Sequence, residues 1–154
     1  MAAIPPTDIQ EVFRHLPHRF PFVLVDAVEA GEAGEWVRAV KHVSIDEPFF
    51  TSVGREKPAM PATLIVEALA QAAAILSFKT MNGRGDDRSV YYFVGIDKAR
   101  FKRPVTAGDT LMLDITLERY VRGIWKFWTE ARVEDKVVTE AELMCTVRPL
   151  KETE

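Results

Sequence analysis

One stretch of this sequence leaves few options for its fold. From Thr63 to Phe78 the chain is rich in alanine, leucine and isoleucine, and it is interrupted by the polar side chains of Glu67 and Gln71. The pattern predicts a helix over about residues 62–81 that is apolar on nearly every face. We judge the apolar run too short and too polar to span a bilayer. Such a helix is stable when other elements cover it on all sides.

The remaining segments can provide this cover. A short helix from Thr7 to His15, with Thr7 or Asp8 as its N-cap, precedes strand-like runs and a turn at Gly31–Gly34. The predicted strands are Phe22–Val28, Trp36–Val43, Ser89–Ile96, Ala99–Val105, Thr110–Tyr120, Trp125–Glu134 and Val137–Arg148. Alternating apolar and polar residues in several runs are typical of a sheet with one face on a core. We therefore predict an α+β fold, one domain over residues 1–154, with a central helix wrapped by a curved, mainly antiparallel sheet.

Charge and cysteine content argue against several classes of protein. The formal net charge is −3, so nothing global attracts nucleic acid or an anionic membrane. The N-terminus has neither the basic nor the apolar region of a secretory signal. Cys145 is the single cysteine, and we interpret it as a packing residue in a reducing compartment. We expect a cytoplasmic protein without a metal ion or cofactor.

Motifs along nearly the whole chain carry a family resemblance. They are LPHRFPFVLVD at Leu16–Asp26, SIDEPFF at Ser44–Phe50, LIVEALAQAA at Leu64–Ala73, YYFVGIDKARFKRP at Tyr91–Pro104, and GIWKF with AELMC at Gly123–Phe127 and Ala141–Cys145. With these motifs the chain resembles the bacterial (3R)-hydroxyacyl-acyl-carrier-protein dehydratases of type II fatty acid synthesis. The resemblance implies a hot-dog fold, in which an antiparallel sheet wraps one helix and two chains join edge to edge.

The resemblance also implies a reaction and the groups that perform it. The family removes water from a 3-hydroxyacyl chain on the phosphopantetheine arm of acyl carrier protein. A histidine takes the α-proton, a helix carboxylate protonates the departing hydroxyl, and a backbone N–H at the helix start holds the thioester carbonyl. The carboxylate falls on Glu67, the N–H on Ala62, and the histidine position on Val53. Valine cannot transfer a proton, and the neighbouring Gly54 and Arg55 also depart from the family motif.

Each candidate residue also has a plainer interpretation. Thr63 and Gln71 lie one helical turn from Glu67, where either could hydrogen-bond the carboxylate as a structural polar group. The three histidines are interpreted as structural or solvated imidazoles rather than a replacement base: His15, His18 and His42.

Loss of the base with retention of the acid leads to a hypothesis about partners. In the family dimer each site combines the histidine of one chain with the carboxylate of the other. We therefore expect the accessory subunit of a heterodimeric dehydratase, in which Glu67 completes the site of a histidine-bearing partner and a homodimer is an inactive pseudoenzyme. Such a pair would suit type II fatty acid, aryl-polyene or polyketide-like synthesis. The alternatives are a stand-alone dehydratase or hydratase with a relocated base, a non-catalytic acyl-carrier-binding module, and a hot-dog thioesterase.

Four cations within residues 98–103 form a candidate docking surface, which we call the basic patch: Lys98, Arg100, Lys102 and Arg103. Acyl carrier proteins are acidic, so a basic patch on a net negative chain would steer them by complementary charge. The alternative is an ordinary solvated strand face.

Overall fold

The computed structural model describes residues 2–50, 58–81 and 89–149. Its elements are β1 (Ala3–Ile4), α1 (Ile9–His15), β2 (Ala27–Glu32), β3 (Trp36–His42), a 3₁₀ turn (Pro48–Phe50), α2 (Ala62–Thr80), β4 (Ser89–Phe101), β5 (Thr110–Val121), β6 (Ile124–Val133) and β7 (Lys136–Pro149). The strands form one antiparallel sheet in the order β1-β2-β3-β5-β6-β7-β4. Helix α2 contacts β3, β5, β6 and β7. The predicted α+β arrangement of one long helix covered by an antiparallel sheet is confirmed.

Helix α2 lies at the centre of the core. Its residues are buried without a break from Ala68 to Phe78, as the apolar composition of every face predicts. By length and composition the helix is long and apolar enough to cross a membrane, so our judgement that the run is too short and too polar was wrong. However, 72% of its apolar window is buried inside the protein, which is the environment of a core helix.

Both helices begin and end close to the predicted positions. Helix α1 begins after Asp8 rather than Thr7, because the Asp8 carboxylate accepts two backbone N–H bonds of 3.0 and 3.2 Å from the first turn. Helix α2 ends at Thr80. The glycines expected to end it, Gly83 and Gly85, lie outside the described residues.

The segment that precedes β2 is not the predicted strand. A strand was expected over Phe22–Val28, but β2 begins at Ala27. The reason is that the backbone N–H of Leu24 and the carbonyl of Phe22 bond the side-chain amide of Gln71 on α2, at 2.8 and 2.7 Å. This segment is therefore fastened to the central helix instead of to a neighbouring strand.

Strand β4 is continuous where two strands were predicted. It pairs with β7 from Ser89 to Phe101, and the register shifts between Asp97 and Arg100, where Lys98 has a φ of 53°. This bulge absorbs the polar residues that had indicated a break, and the pairing continues beyond it. The predicted ends of the other strands after β2 agree with the structure to within one residue.

Candidate active site

Glu67 opens onto a cavity rather than into the sealed core. Its side chain is 30% exposed, although Ala68 and Val66 beside it are buried. The cavity has a volume of about 630 Å³, which is within the usual size of a small-molecule site. It lies between α1 and its following loop, α2, and the start of β4, and its lining includes His15, His18, Glu67, Gln71, Tyr91 and Phe93. Among the described residues that line it, Glu67 is the one carboxylate.

Gln71 holds Glu67 in place, as the spacing of one helical turn had suggested. The Gln71 Nε2 donates to Glu67 Oε1 at 2.9 Å and also to the carbonyl of Phe22 at 2.7 Å. The Gln71 Oε1 accepts the backbone N–H of Leu24 at 2.8 Å. Gln71 is only 2% exposed, so its amide has one orientation that satisfies all three partners. The carboxylate therefore enters the cavity with a fixed hydrogen-bond donor on one oxygen.

The imidazole of His18 lies beside the same carboxylate. Its Nε2 lies 3.5 Å from Glu67 Oε1, and its side chain is 33% exposed. From the sequence, His18 was expected to be a structural or solvated imidazole, and no sequence pattern paired it with Glu67. The signal available in the sequence was a histidine between Pro17 and Arg19, in a segment too rich in proline to be helical. A carboxylate beside an imidazole is an arrangement that can exchange a proton with a ligand in the cavity.

Two groups beside the cavity stay protonated: Tyr91, which lines it, and Cys145, which contacts Tyr91. Burial raises the pKa of the Tyr91 phenol well above its ordinary value, and the neighbouring Cys145 raises it further. Burial also raises the pKa of the Cys145 thiol to about 11. Cys145 is fully buried, in agreement with its interpretation as a packing residue rather than a thiolate nucleophile. The groups lining the cavity that are candidates for acid–base chemistry are therefore Glu67 and His18.

The other residues implied by the family motif lie apart from this cavity or outside the description. Ala62 is the first residue of α2, and Pro61 before it gives no side-chain cap. Glu67 is five positions after Ala62, roughly 7–8 Å along the helix axis, and Ala62 does not line the cavity. Its N–H is one of the first N–H groups of the helix, which have no hydrogen-bond partner within it. Val53 lies outside the described residues.

The basic patch is exposed, and its four cations differ in their surroundings. Lys98 Nζ lies 3.4 Å from Glu142, and Lys102 Nζ lies 3.3 Å from Glu140, both on β7. Arg100 and Arg103 have no ion-pair partner among the described residues. None of the four lines the cavity that holds Glu67. The two arginines are therefore the cations of the patch whose charge is available to a partner.

Strand β4 also presents an open, apolar edge of the sheet. It is the last strand in the sheet order, so its outer backbone groups face no strand among the described residues. Five large apolar side chains along it are between 42% and 52% exposed: Tyr92, Phe93, Val94, Ile96 and Phe101. An exposed apolar edge strand favours pairing with another chain. Because Tyr91 and Phe93 line the cavity, a chain paired here would lie beside the Glu67 site.

Comparison with known proteins agrees with the motifs. A family model for the FabA-like domain matches residues 16–142. The 3-hydroxyacyl-[acyl-carrier-protein] dehydratase FabZ of Nitrosospira multiformis is 56% identical over 146 residues, which cover 95% of this chain and 99% of the relative. The protein of the same name from Nitrosomonas europaea is 51% identical over 93% of this chain and 94% of its own length.

Solved structures share the fold at much lower sequence identity. The dehydratase heterocomplex ApeI:P of Xenorhabdus doucetiae matches with a TM-score of 0.75 and 23% identity, over 93% of both chains. A hot-dog-like protein of Thermanaerovibrio acidaminovorans matches with a TM-score of 0.59 and 18% identity, over 76% of this chain and 83% of its own. The hot-dog fold expected from the sequence is confirmed.

Proposed function

Since the chain belongs to the FabA-like family of hot-dog dehydratases, we propose that it takes part in the dehydration of 3-hydroxyacyl thioesters carried on acyl carrier protein. Its role is that of an accessory subunit, which supplies Glu67 as the acid to a site whose histidine comes from a second hot-dog chain. The observation that carries the proposal is the carboxylate of Glu67, which Gln71 holds in the lining of a cavity of about 630 Å³.

The chemistry divides between the two chains in this proposal. The partner's histidine takes the α-proton of the substrate, and Glu67 gives a proton to the departing hydroxyl. The N–H of Ala62, at the start of α2, is assigned to the thioester carbonyl, where a helix N-terminus favours developing negative charge. On the motif alignment Val53 occupies the histidine position of this chain, so the second site of the pair is inactive.

The edge of β4 is the surface at which the two chains meet in this proposal. Its exposed apolar side chains need cover, and its backbone groups offer an antiparallel partner strand. A composite site follows, because the first part of β4 lines the cavity that holds Glu67.

Acyl carrier protein is assigned to the basic patch, and within it chiefly to Arg100 and Arg103. Both guanidinium groups lack a carboxylate partner among the described residues, whereas Lys98 and Lys102 are each partly neutralised by a glutamate of β7. An arginine binds a carboxylate with two parallel hydrogen bonds, which suits an acidic carrier surface. A carrier-linked substrate also implies a cytoplasmic setting, as expected from the sequence.

A complementation assay tests the proposal. The chain is co-expressed with a histidine-bearing hot-dog dehydratase of the same genome whose own helix carboxylate has been changed to glutamine. Partner homodimers are then inactive, and the intact site in the mixture is the one completed by Glu67. We expect the pair to dehydrate 3-hydroxybutyryl-acyl carrier protein, and Glu67→Gln to lower that rate by about 10²–10⁴-fold. The matched control is Glu35→Gln, an exposed turn carboxylate, which leaves the rate unchanged.

The same assay separates the competing functions. A pair without activity contradicts the proposal. Turnover by the purified chain alone, at the rate of the pair, indicates a stand-alone enzyme with a relocated base. Binding of acyl carrier protein without turnover in any combination indicates a binding module, and release of free thiol from the acyl thioester indicates a thioesterase.

A further inference from the structure

The side chain of His18 lies against Glu67, although the position of His18 in a loop does not require this contact. It follows α1 in the segment that leads to Phe22, and its ring reaches back to the carboxylate of Glu67 on α2, with Nε2 3.5 Å from Oε1. That distance is longer than an ordinary hydrogen bond of about 2.7–3.2 Å. Catalytic hydrogen bonds are often long before a ligand closes the site and shorten when it binds. A shortening of about 0.3 Å would bring the pair within the hydrogen-bond reach that direct proton transfer needs.

The backbone around His18 is fixed by the arginine that follows it. The Arg19 guanidinium donates to the carbonyl of His18 at 2.7 Å and to that of Leu16 at 2.8 Å. It also stacks over the Phe13 ring, 4.4 Å from its centroid. These contacts close the loop on itself and leave the imidazole of His18 directed at the cavity, which it lines together with Glu67.

The contacts of the ring point to the carboxylate as its partner. The Nδ1 atom is buried and has no hydrogen-bond partner among the described residues. Nε2 contacts Glu67. A histidine that serves the fold normally has its buried nitrogen hydrogen-bonded, and this one has its polar contact at the candidate acid instead. With a side chain one-third exposed, it also touches solvent.

We propose that His18 is a positioning residue for Glu67 that returns a proton to it after each turnover. The inference rests on the proposed function. In that reaction the partner's histidine takes the α-proton, the C3–O bond breaks, and the Glu67 proton leaves with the hydroxyl as water. Glu67 is then a carboxylate and the partner's histidine is protonated. The imidazolium form of His18 transfers its Nε2 proton to Glu67 Oε1 and becomes the neutral imidazole, which then takes one proton from solvent, while the partner's histidine releases its extra proton to solvent. No net proton is gained or lost.

The first test uses the purified chain and needs no partner. The ¹⁵N NMR signal of His18 Nε2 is expected to shift when Glu67→Gln replaces the carboxylate by an amide. The signal of His42 is the internal control, since its ring lies on β3 and contacts Thr110. An unchanged His18 signal overturns the inference, whether or not any complex is active.

The second test uses the complemented pair and separates proton transfer from simple positioning. The amide nitrogen of His18→Gln can take the place of Nε2 and donate to Glu67, but it cannot carry a proton. We expect this variant to lower kcat about tenfold or more with KM unchanged. Free imidazole is expected to restore part of the rate lost by His18→Ala. His42→Gln is the matched control and keeps the parent rate.

The outcomes distinguish the two proposals. If the unsubstituted pair is inactive, the proposed function fails. If that pair is active and His18→Gln retains the parent kcat, the function stands and the proton-return role of His18 is refuted.

Discussion

Replacing Gln71 with methionine should destabilise the protein more than a surface change of the same type. The substitution keeps a side chain of similar length but removes both polar groups of the amide. Gln71 is 2% exposed and joins α2 to the segment before β2 through Leu24 and Phe22. The substitution therefore measures how much these two hydrogen bonds contribute to the free energy of unfolding.

The magnitude follows from which groups lose a partner. Leu24 is 1% exposed, so leaving its N–H unpaired costs about 1–3 kcal/mol. The bond to the carbonyl of Phe22, on an exposed residue, contributes about 0.5–1.5 kcal/mol. Burial of the methionine side chain offsets about 1 kcal/mol. We expect Gln71→Met to lower the free energy of unfolding by about 2 kcal/mol.

Urea unfolding, followed by the fluorescence of the buried Trp125, measures this change at one fixed protein concentration. Gln10→Met is the matched control, because Gln10 is exposed on α1 and should change stability by less than about 0.5 kcal/mol. Gln71→Glu retains an acceptor for the Leu24 N–H but has no donor for Phe22 and adds a charge beside Glu67. A Gln71→Met protein as stable as the Gln10→Met protein would refute the reasoning.

Three further predictions follow from other parts of the molecule. Arg100→Glu with Arg103→Glu should weaken binding of acyl carrier protein at least tenfold at low salt and remove most of its salt dependence, measured by calorimetry. Gly31→Ala should cost about 1–3 kcal/mol in urea unfolding, because a Cβ there would lie 2.7 Å from the backbone oxygen of Trp36. Burial raises the Cys145 pKa from 9.0 to about 11, so the contribution of this thiol to stability is fully present below pH 9 and is lost as pH rises toward 11. The loss, about 2 kcal/mol near pH 10.5, should be absent in Cys145→Ala.

The central helix was predictable because its signal is local. A run that is apolar on every face has one stable environment, and α2 occupies it. The Phe22–Asp26 segment was predicted to be part of a strand because its β-branched and apolar residues favour strands by propensity. The amide of Gln71, almost fifty residues later in sequence, binds the backbone groups that a neighbouring strand would have bound. The strand propensity of this segment is therefore overridden by tertiary hydrogen bonds that no local sequence pattern indicates.

The break expected within β4 has a different cause. Asp97 and Lys98 interrupt the apolar pattern, and their polarity is typical of a turn. In the structure Lys98 adopts a positive φ and its charge lies near Glu142 of the paired strand. The long pairing with β7 on both sides stabilises this bulge, so the polar residues change the register without ending the strand.

The candidate site likewise contains one contact that the local sequence predicts and one that depends on the tertiary structure. Glu67 and Gln71 are one helical turn apart, so their contact could be predicted from spacing alone. The contact between Glu67 and His18 depends on how the loop after α1 folds back.

Whether Glu67 is retained for stability or for chemistry can be decided by experiment. If Glu67 is retained only for stability, Glu67→Gln should weaken the fold, because a neutral amide oxygen accepts more weakly from Gln71 and His18 than a carboxylate does. A carboxylate retained for chemistry should leave the free energy of unfolding nearly unchanged while the complemented pair loses its activity. Glu67 is 30% exposed, so its hydrogen bonds contribute little to stability, and the second outcome is the one that the structure favours.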